Sequence, residues 1–249
     1  MFEPTLLSQS QVYRCMDTIS TSTFYMMVAN AVLRREPLSI VRMGDGEKLL
    51  MDYLEGLPAS TRDVEDDDWM GRLGCLGIDK CDLHDRIKLA ANECTWFAPS
   101  ISGIIREDFE LYNRFRSRPR YVDNFWCNAW TEEMKINLYK AAGHILFIHR
   151  NPNSYAALAD RAHELLGVKT SYIQMDNWRQ SEDVIAQAYE VDAPLVLFSA
   201  GPASKYIGHR IATRGRISKV SLDLGNSSDL FLLYETWQQN LKQKELQNV

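Results

Sequence analysis

From Gly143 onward, short apolar runs alternate with helical segments, and this alternation constrains the fold more than any other feature of the chain. Residues 144–148, 169–174, 194–199 and 217–222 have the length and apolar character of strands. Between them, helices are predicted from about Asn153, from Ser181 and over 203–213. Strands joined through helices of that length pair in parallel, with right-handed crossovers. The expectation is an α/β fold, a single Rossmann-like domain with a largely parallel sheet flanked by helices.

The first half of the chain fits the same plan less regularly. Val12, Cys15, Met16, Ile19, Met27, Val28, Ala31 and Val32 mark an N-terminal helix over 11–35, and Pro37 separates it from a strand at 38–43. Short helices are predicted at 47–54, 69–76 and 83–94, and strands at 95–97 and 121–126. A charged helix over about 229–245 closes the chain, leaving a core of about 38–226. No internal repeat or low-complexity linker interrupts it.

Leu38-Ser39-Ile40-Val41-Arg42-Met43-Gly44-Asp45-Gly46-Glu47 runs from an apolar strand straight into a glycine-flanked pair of acids. Open α/β sheets bind ligands at the carboxyl ends of their strands, where this turn falls. Asp45 and Glu47 are spaced to converge on one hard divalent cation that bridges a diphosphate, with Gly44 and Gly46 letting the backbone bend. The same residues also suit a tight turn with solvated acids. Arg42 stands ready to pair with the carboxylates, to meet a phosphate, or to lie as a surface charge.

Three more strand ends carry polar or glycine-rich turns. Gly201, Ser204 and Lys205 lie in Ser199-Ala200-Gly201-Pro202-Ala203-Ser204-Lys205, an ordinary helix start or an anion site. After the strand ending near His149, Asn153 is either a helix N-cap or a ligand contact. Asp223 ends the last strand and suits a hydroxyl-binding or basic role, or an Asx turn. Arg114, Arg116, Arg118 and Arg120 alternate with Phe115 and Tyr121, as in a solvated basic loop or a grip on phosphates.

A net charge of -5 and a pI near 5.6 exclude a general basic field for nucleic acid or anionic lipid. The N-terminal residues lack a signal-peptide pattern, and no apolar run reaches the roughly 20 residues of a membrane helix. A cytoplasmic protein without a membrane span is expected. The five cysteines, Cys15, Cys75, Cys81, Cys94 and Cys127, form no C-x-x-C and read as reduced thiols.

Taken together these segments resemble the GT-D family of glycosyltransferases. The family's R-x-G-D-G-E stands here as Arg42-Met43-Gly44-Asp45-Gly46-Glu47. Its G-P-T-A-K is similar to Gly201-Pro202-Ala203-Ser204-Lys205, and its D-I-G-H to Asp223-Leu224-Gly225-Asn226, with Asn226 in place of histidine. The resemblance implies Mn²⁺ or Mg²⁺ at Asp45 and Glu47, and a nucleotide-sugar donor, commonly a UDP-sugar. It places Gly201 to Lys205 near that donor. His149 and His209 are the histidines available in place of the one replaced by Asn226.

The expected activity is metal-dependent transfer of a sugar to a hydroxyl acceptor, with Asp45, Glu47 and Asp223 catalytic and Asp223 the candidate base. Arg42, Gly44, Gly46, Asn153, Gly201, Ser204 and Lys205 would bind the donor. By family analogy the acceptor is a glycan or glycoprotein, and hydroxymethylated DNA bases are the alternative that the arginine-rich stretch suggests. A non-catalytic nucleotide-binding partner subunit and an S-adenosylmethionine-dependent methyltransferase are the rival classes. The methyltransferase predicts a ribose-binding acid after the next strand, which the sequence lacks.

Overall fold

The computed structural model describes residues 19–56, 67–99, 120–150, 162–164, 166–215 and 217–225. Its strands are β1 (Leu38–Met43), β2 (Trp96–Pro99), β3 (Arg120–Tyr121), β4 (His144–His149), β5 (Lys169–Gln174), β6 (Leu195–Ser199) and β7 (Val220–Asp223). They form one seven-stranded sheet in the order β3-β2-β1-β7-β6-β4-β5, and every pairing is parallel. The helices are α1 (Thr21–Arg34), α2 (Asp45–Leu54), α3 (Asp67–Arg72), α4 (Lys80–Glu93), α5 (Trp126–Ala129), α6 (Glu132–Ala142), α7 (Ser181–Glu190) and α8 (Ala203–Arg214).

The central strands β1, β4, β6 and β7 are mostly buried because both faces are covered, whereas the edge strand β5 is polar and half-exposed. Val41 and Met43 of β1, Leu146 and Ile148 of β4, and Val196 and Phe198 of β6 pack under α2, α4, α7 and α8. Their neighbours Leu38, Ile40, Ile145, Phe147, Leu195 and Leu197 face the opposite layer, built by α1, α5 and α6. On that side Phe24 meets Trp96 and Trp126 edge-on at 5.4 Å, which seats α1 against the sheet.

Local chemistry sets the ends of the helices. Ser20 caps α1 by accepting from the Thr23 N–H, and Thr131 caps α6 by accepting from that of Met134. The chain leaves β4 toward β5 and β6 toward β7, in opposite directions across the sheet. Such a reversal opens a crevice at the carboxyl ends of the strands.

Several expectations need adjustment. Asp45 and Glu47 lie in the first turn of α2 rather than in a loop, because Glu47 closes that turn. The strand expected over 121–126 stops at Tyr121: the Asp123 carboxylate accepts from the Phe125 N–H at 2.7 Å and turns the chain into α5. Helix α6 was not expected at all. Strand β7 begins three residues later than predicted, and a 3₁₀ turn, Trp178–Gln180, precedes α7. Of the expected helix from Asn153 only 162–164 and 166 are described, and they are helical; the closing helix over 229–245 and most of 11–20 lie outside the described residues.

Among the described residues no helix is long and apolar enough to cross a membrane. The described cysteines, Cys75, Cys81, Cys94 and Cys127, are free thiols.

Candidate functional site

Each of the three sequence blocks contributes one charged side chain to a single cluster. Glu47 comes from the first turn of α2, Lys205 from the first turn of α8, and Asp223 from the end of β7. The Lys205 ammonium lies 2.9 Å from Glu47 Oε1 and 3.0 Å from Asp223 Oδ2. Strands β1 and β7 are adjacent, and α8 crosses both on its way from β6, so the topology itself brings these residues together.

A lysine near a helix N-terminus works against the helix dipole, and a buried ammonium loses its hydration. Lys205 is 2 % exposed, so the two carboxylates are what make its burial tolerable. Burial pushes its ammonium toward neutrality, but Asp223 and Glu47 outweigh this and hold its pKa above the usual lysine range. For Glu47, burial favours the neutral acid. The Lys205 charge and hydrogen bond, with the Gly44 N–H, overcome that and hold its carboxyl below the usual range. Glu47 and Lys205 thus hold each other in their charged forms near the N-termini of α2 and α8.

The members differ in access. Asp223 is 1 % exposed, and its Oδ1 accepts from the Gly225 N–H at 3.1 Å. Glu47 is 21 % exposed and is the more accessible carboxylate of the cluster. Its Oε2 accepts from the Gly44 N–H at 3.0 Å, the return half of a capping box.

Arg42 organises the surrounding loops. Buried at the end of β1, it donates through Nε to Asn124 Oδ1 at 2.6 Å and through Nη1 to the Leu224 carbonyl. A side chain at Gly225 would lie 3.0 Å from that Nη1, so the D-x-G turn is glycine where the guanidinium passes. Ser199 Oγ donates to the Gly225 carbonyl at 2.7 Å and ties the end of β6 to the same turn. Asn124 and Ser199 carried no sequence signal for this role, since polar residues just past strand ends are common.

The other predicted residues are spread along this edge. Gly44 is the N-cap of α2, and the backbone of Asp45 and Gly46 forms its first turn, while the Asp45 carboxyl lies outside the described groups. Ser204 Oγ accepts from the Ala200 N–H at 2.9 Å and is spent on the turn that holds Lys205. Gly201 adopts φ +62° and packs against the Leu73 carbonyl. His149 ends β4, and its carbonyl accepts from Met175 N–H and Tyr172 OH. His209, deeper along α8, faces Glu93 at 3.4 Å. Asn153, Asn226, Arg114, Arg116 and Arg118 lie outside the described residues.

Mn²⁺ or Mg²⁺ requires several oxygen donors at one point. Among the described residues no group of three metal-ligating side chains is gathered. Both Glu47 oxygens are engaged, one of them by an ammonium that would repel a cation. The described donors thus do not by themselves make a divalent-cation site.

The fold is that of a doubly wound α/β protein with a charged cluster at the carboxyl edge of its sheet. Comparison of the chain with protein families, curated proteins and solved structures returns no match.

Proposed function

We propose that the chain is a glycosyltransferase that moves a sugar from a nucleotide-sugar donor, a UDP-sugar by family resemblance, to a hydroxyl acceptor. One observation carries the reading: Glu47, Lys205 and Asp223, one from each block of the resemblance, meet within 3.0 Å at the ligand-binding edge of a parallel sheet. Motifs shared by chance have no reason to converge on a single ion cluster.

In this reading Glu47 faces the ligand, and Lys205 keeps it ionised and oriented. Asp223 acts through Lys205 rather than on substrate, because it is buried and already bonded. Arg42 ties the end of β1 to Asn124 and to the turn that follows Asp223. A divalent cation at Asp45 and Glu47 remains part of the proposal and would neutralise the departing diphosphate. Binding there requires Glu47 to give up its present partners.

The acceptor is a glycan or glycoprotein in the first instance, with a hydroxymethylated DNA base as the alternative. A second reading, a nucleotide-binding subunit without turnover, is favoured by the engagement of both carboxylates with Lys205.

The test is nucleoside-diphosphate release from a panel of nucleotide-sugars with and without Mn²⁺, using wild type and the Asp45→Asn and Glu47→Gln variants. Release lost in folded Glu47→Gln supports the transferase. UDP binding without turnover on any acceptor supports the subunit. Absence of both release and UDP binding overturns the donor chemistry assigned to this edge.

A further inference from the structure

A second concave site lies on the same edge, at the ends of β4 and β5. It is a cavity of about 280 Å³ lined by Gly71, Gly74, Leu76, Ile78, Arg150, Asp176, Asn177 and Arg179. Its Arg150 follows β4, one of the two strands at which the chain reverses direction across the sheet, and open α/β sheets place ligands at such carboxyl ends.

The two guanidinium groups define its chemistry. Arg150 donates to the carbonyls of Asp176, Arg72 and Gly71, and Arg179 donates to the carbonyl of Gly77. These acceptors are neutral, and no ion pair with a carboxylate involves either arginine among the described residues. Asp176, also on the lining, holds Gln174 Nε2 with its Oδ1 at 2.7 Å. Two positive charges therefore face the cavity against one negative charge.

The loop opposite is shaped around both arginines. Gly74 has φ +72°, and a Cβ there would lie 3.2 Å from Arg150 Nη2. Gly77 has φ +69°, and a Cβ would lie 2.9 Å from Arg179 Nη2. Gly74 and Gly77, two of the three glycines in this Gly-x-x-Gly-x-x-Gly segment, thus each leave room for one guanidinium. Leu76 and Ile78 supply an apolar wall beside them.

We propose that this cavity binds the phosphate groups of a nucleotide, with Arg150 and Arg179 supplying the positive charge and no metal required. Planar guanidinium forks suit phosphate oxygens, and Leu76 and Ile78 give the nucleoside a surface to lie on. The site is separate from the Glu47 cluster but shares its edge: the Leu73 carbonyl, beside Gly74, packs on Gly201 at the start of α8. The inference stands on its own lining and goes beyond the transferase reading: it is a second, metal-free diphosphate site.

The experiment is isothermal titration of the full chain with UDP, pyrophosphate and uridine in EDTA. Wild type is compared with Arg179→Glu, an exposed position, and with Arg150→Lys, which keeps the charge and loses the fork. UDP and pyrophosphate are expected to bind, with Arg179→Glu weakening both by about tenfold or more and Arg150→Lys by less. UDP binding tighter than pyrophosphate identifies a nucleotide, and equal affinities identify a free diphosphate on the same arginines. Failure of either anion to bind wild type, or unchanged affinity in an Arg179→Glu variant that melts as wild type does, overturns the proposal. Because Arg179 lies outside the Glu47 cluster, loss of binding in Arg179→Glu separates this cavity from UDP binding at that cluster, whatever the transferase test returns.

Discussion

Lys205 and Asp223 meet at 3.0 Å although they come from different elements, a helix start and a strand end. Their pair is nearly free of solvent, and Glu47 completes it from the opposite side at 2.9 Å. Removing the cation leaves two carboxylates facing each other in a desolvated site. Removing Glu47 leaves a balanced pair. Lys205→Met is therefore expected to cost about 3–5 kcal/mol, and Glu47→Gln clearly less. Urea unfolding of the two variants checks the order, and equal losses would refute the arrangement.

Helix α8 crosses the sheet closely at Gly208. A Cβ there would lie 2.6 Å from Ser221 Oγ and 3.5 Å from Phe198. Gly208→Ala should cost about 1–2 kcal/mol from overpacking, although alanine favours the helix by about 1 kcal/mol. Ser221 Oγ is buried without a hydrogen-bond partner, so Ser221→Ala relieves the clash at little cost. The double variant should regain the loss or exceed wild type. A strictly additive double-mutant cycle would rule this out.

Arg42 satisfies two acceptors at once, the Asn124 side chain and the Leu224 carbonyl. Lysine carries the same charge but lacks the fork. Arg42→Lys is expected to destabilise by about 2 kcal/mol and to loosen the turns around Glu47 and Asp223. Faster amide exchange at Gly225 in the variant is the corresponding signature. Unchanged exchange and stability would mean that Arg42 does not tie these turns together.

Burial pushes the His209 imidazole below its usual range, more than the neighbouring Glu93 raises it. The unfolded chain then takes up a proton as pH falls through about 6.5 while the folded chain does not. The contribution of His209 to stability is thus fully present above that pH and declines below it, at no more than about 1.4 kcal/mol per pH unit. His209→Asn should flatten this part of the profile between about pH 7.5 and about pH 5.5. A variant whose denaturation midpoints track wild type across that window would refute it.

Much of the architecture was legible because both faces of the sheet are covered. Residues 38–43 and 169–174 were bounded correctly, the first by Pro37 and Gly44 and the second by Gly167 and Asp176-Asn177. Residues 121–126 misled because apolar aromatics continue past Tyr121, while Asp123 redirects the backbone through its own side chain. Helix α6 was missed because it buries only one narrow stripe, Leu138, Tyr139 and Ala142 with the stem of Lys135.

At the site, strand-end motifs placed Glu47, Lys205 and Asp223 on one edge. Their mutual pairing depends on how α8 crosses β1 and β7, which spacing does not encode. The second cavity had a signal that went unused, the three-residue spacing of Gly71, Gly74 and Gly77. Its arginines gave none, because each is isolated in sequence and is brought to the loop only by the ends of β4 and α7's preceding turn.

Among the described residues, strand β7 is what joins two ribbons, β3-β2-β1 and β6-β4-β5. A ribosome makes β7 after all six of the others, so until it arrives both ribbons carry an open apolar edge suited to binding a chaperone or a neighbouring nascent chain. The strand that closes the gap also delivers Asp223. Completion of the sheet and the pairing of Lys205 with its second carboxylate are thus one event in the life of the polypeptide, and a chain that stalls before it has neither.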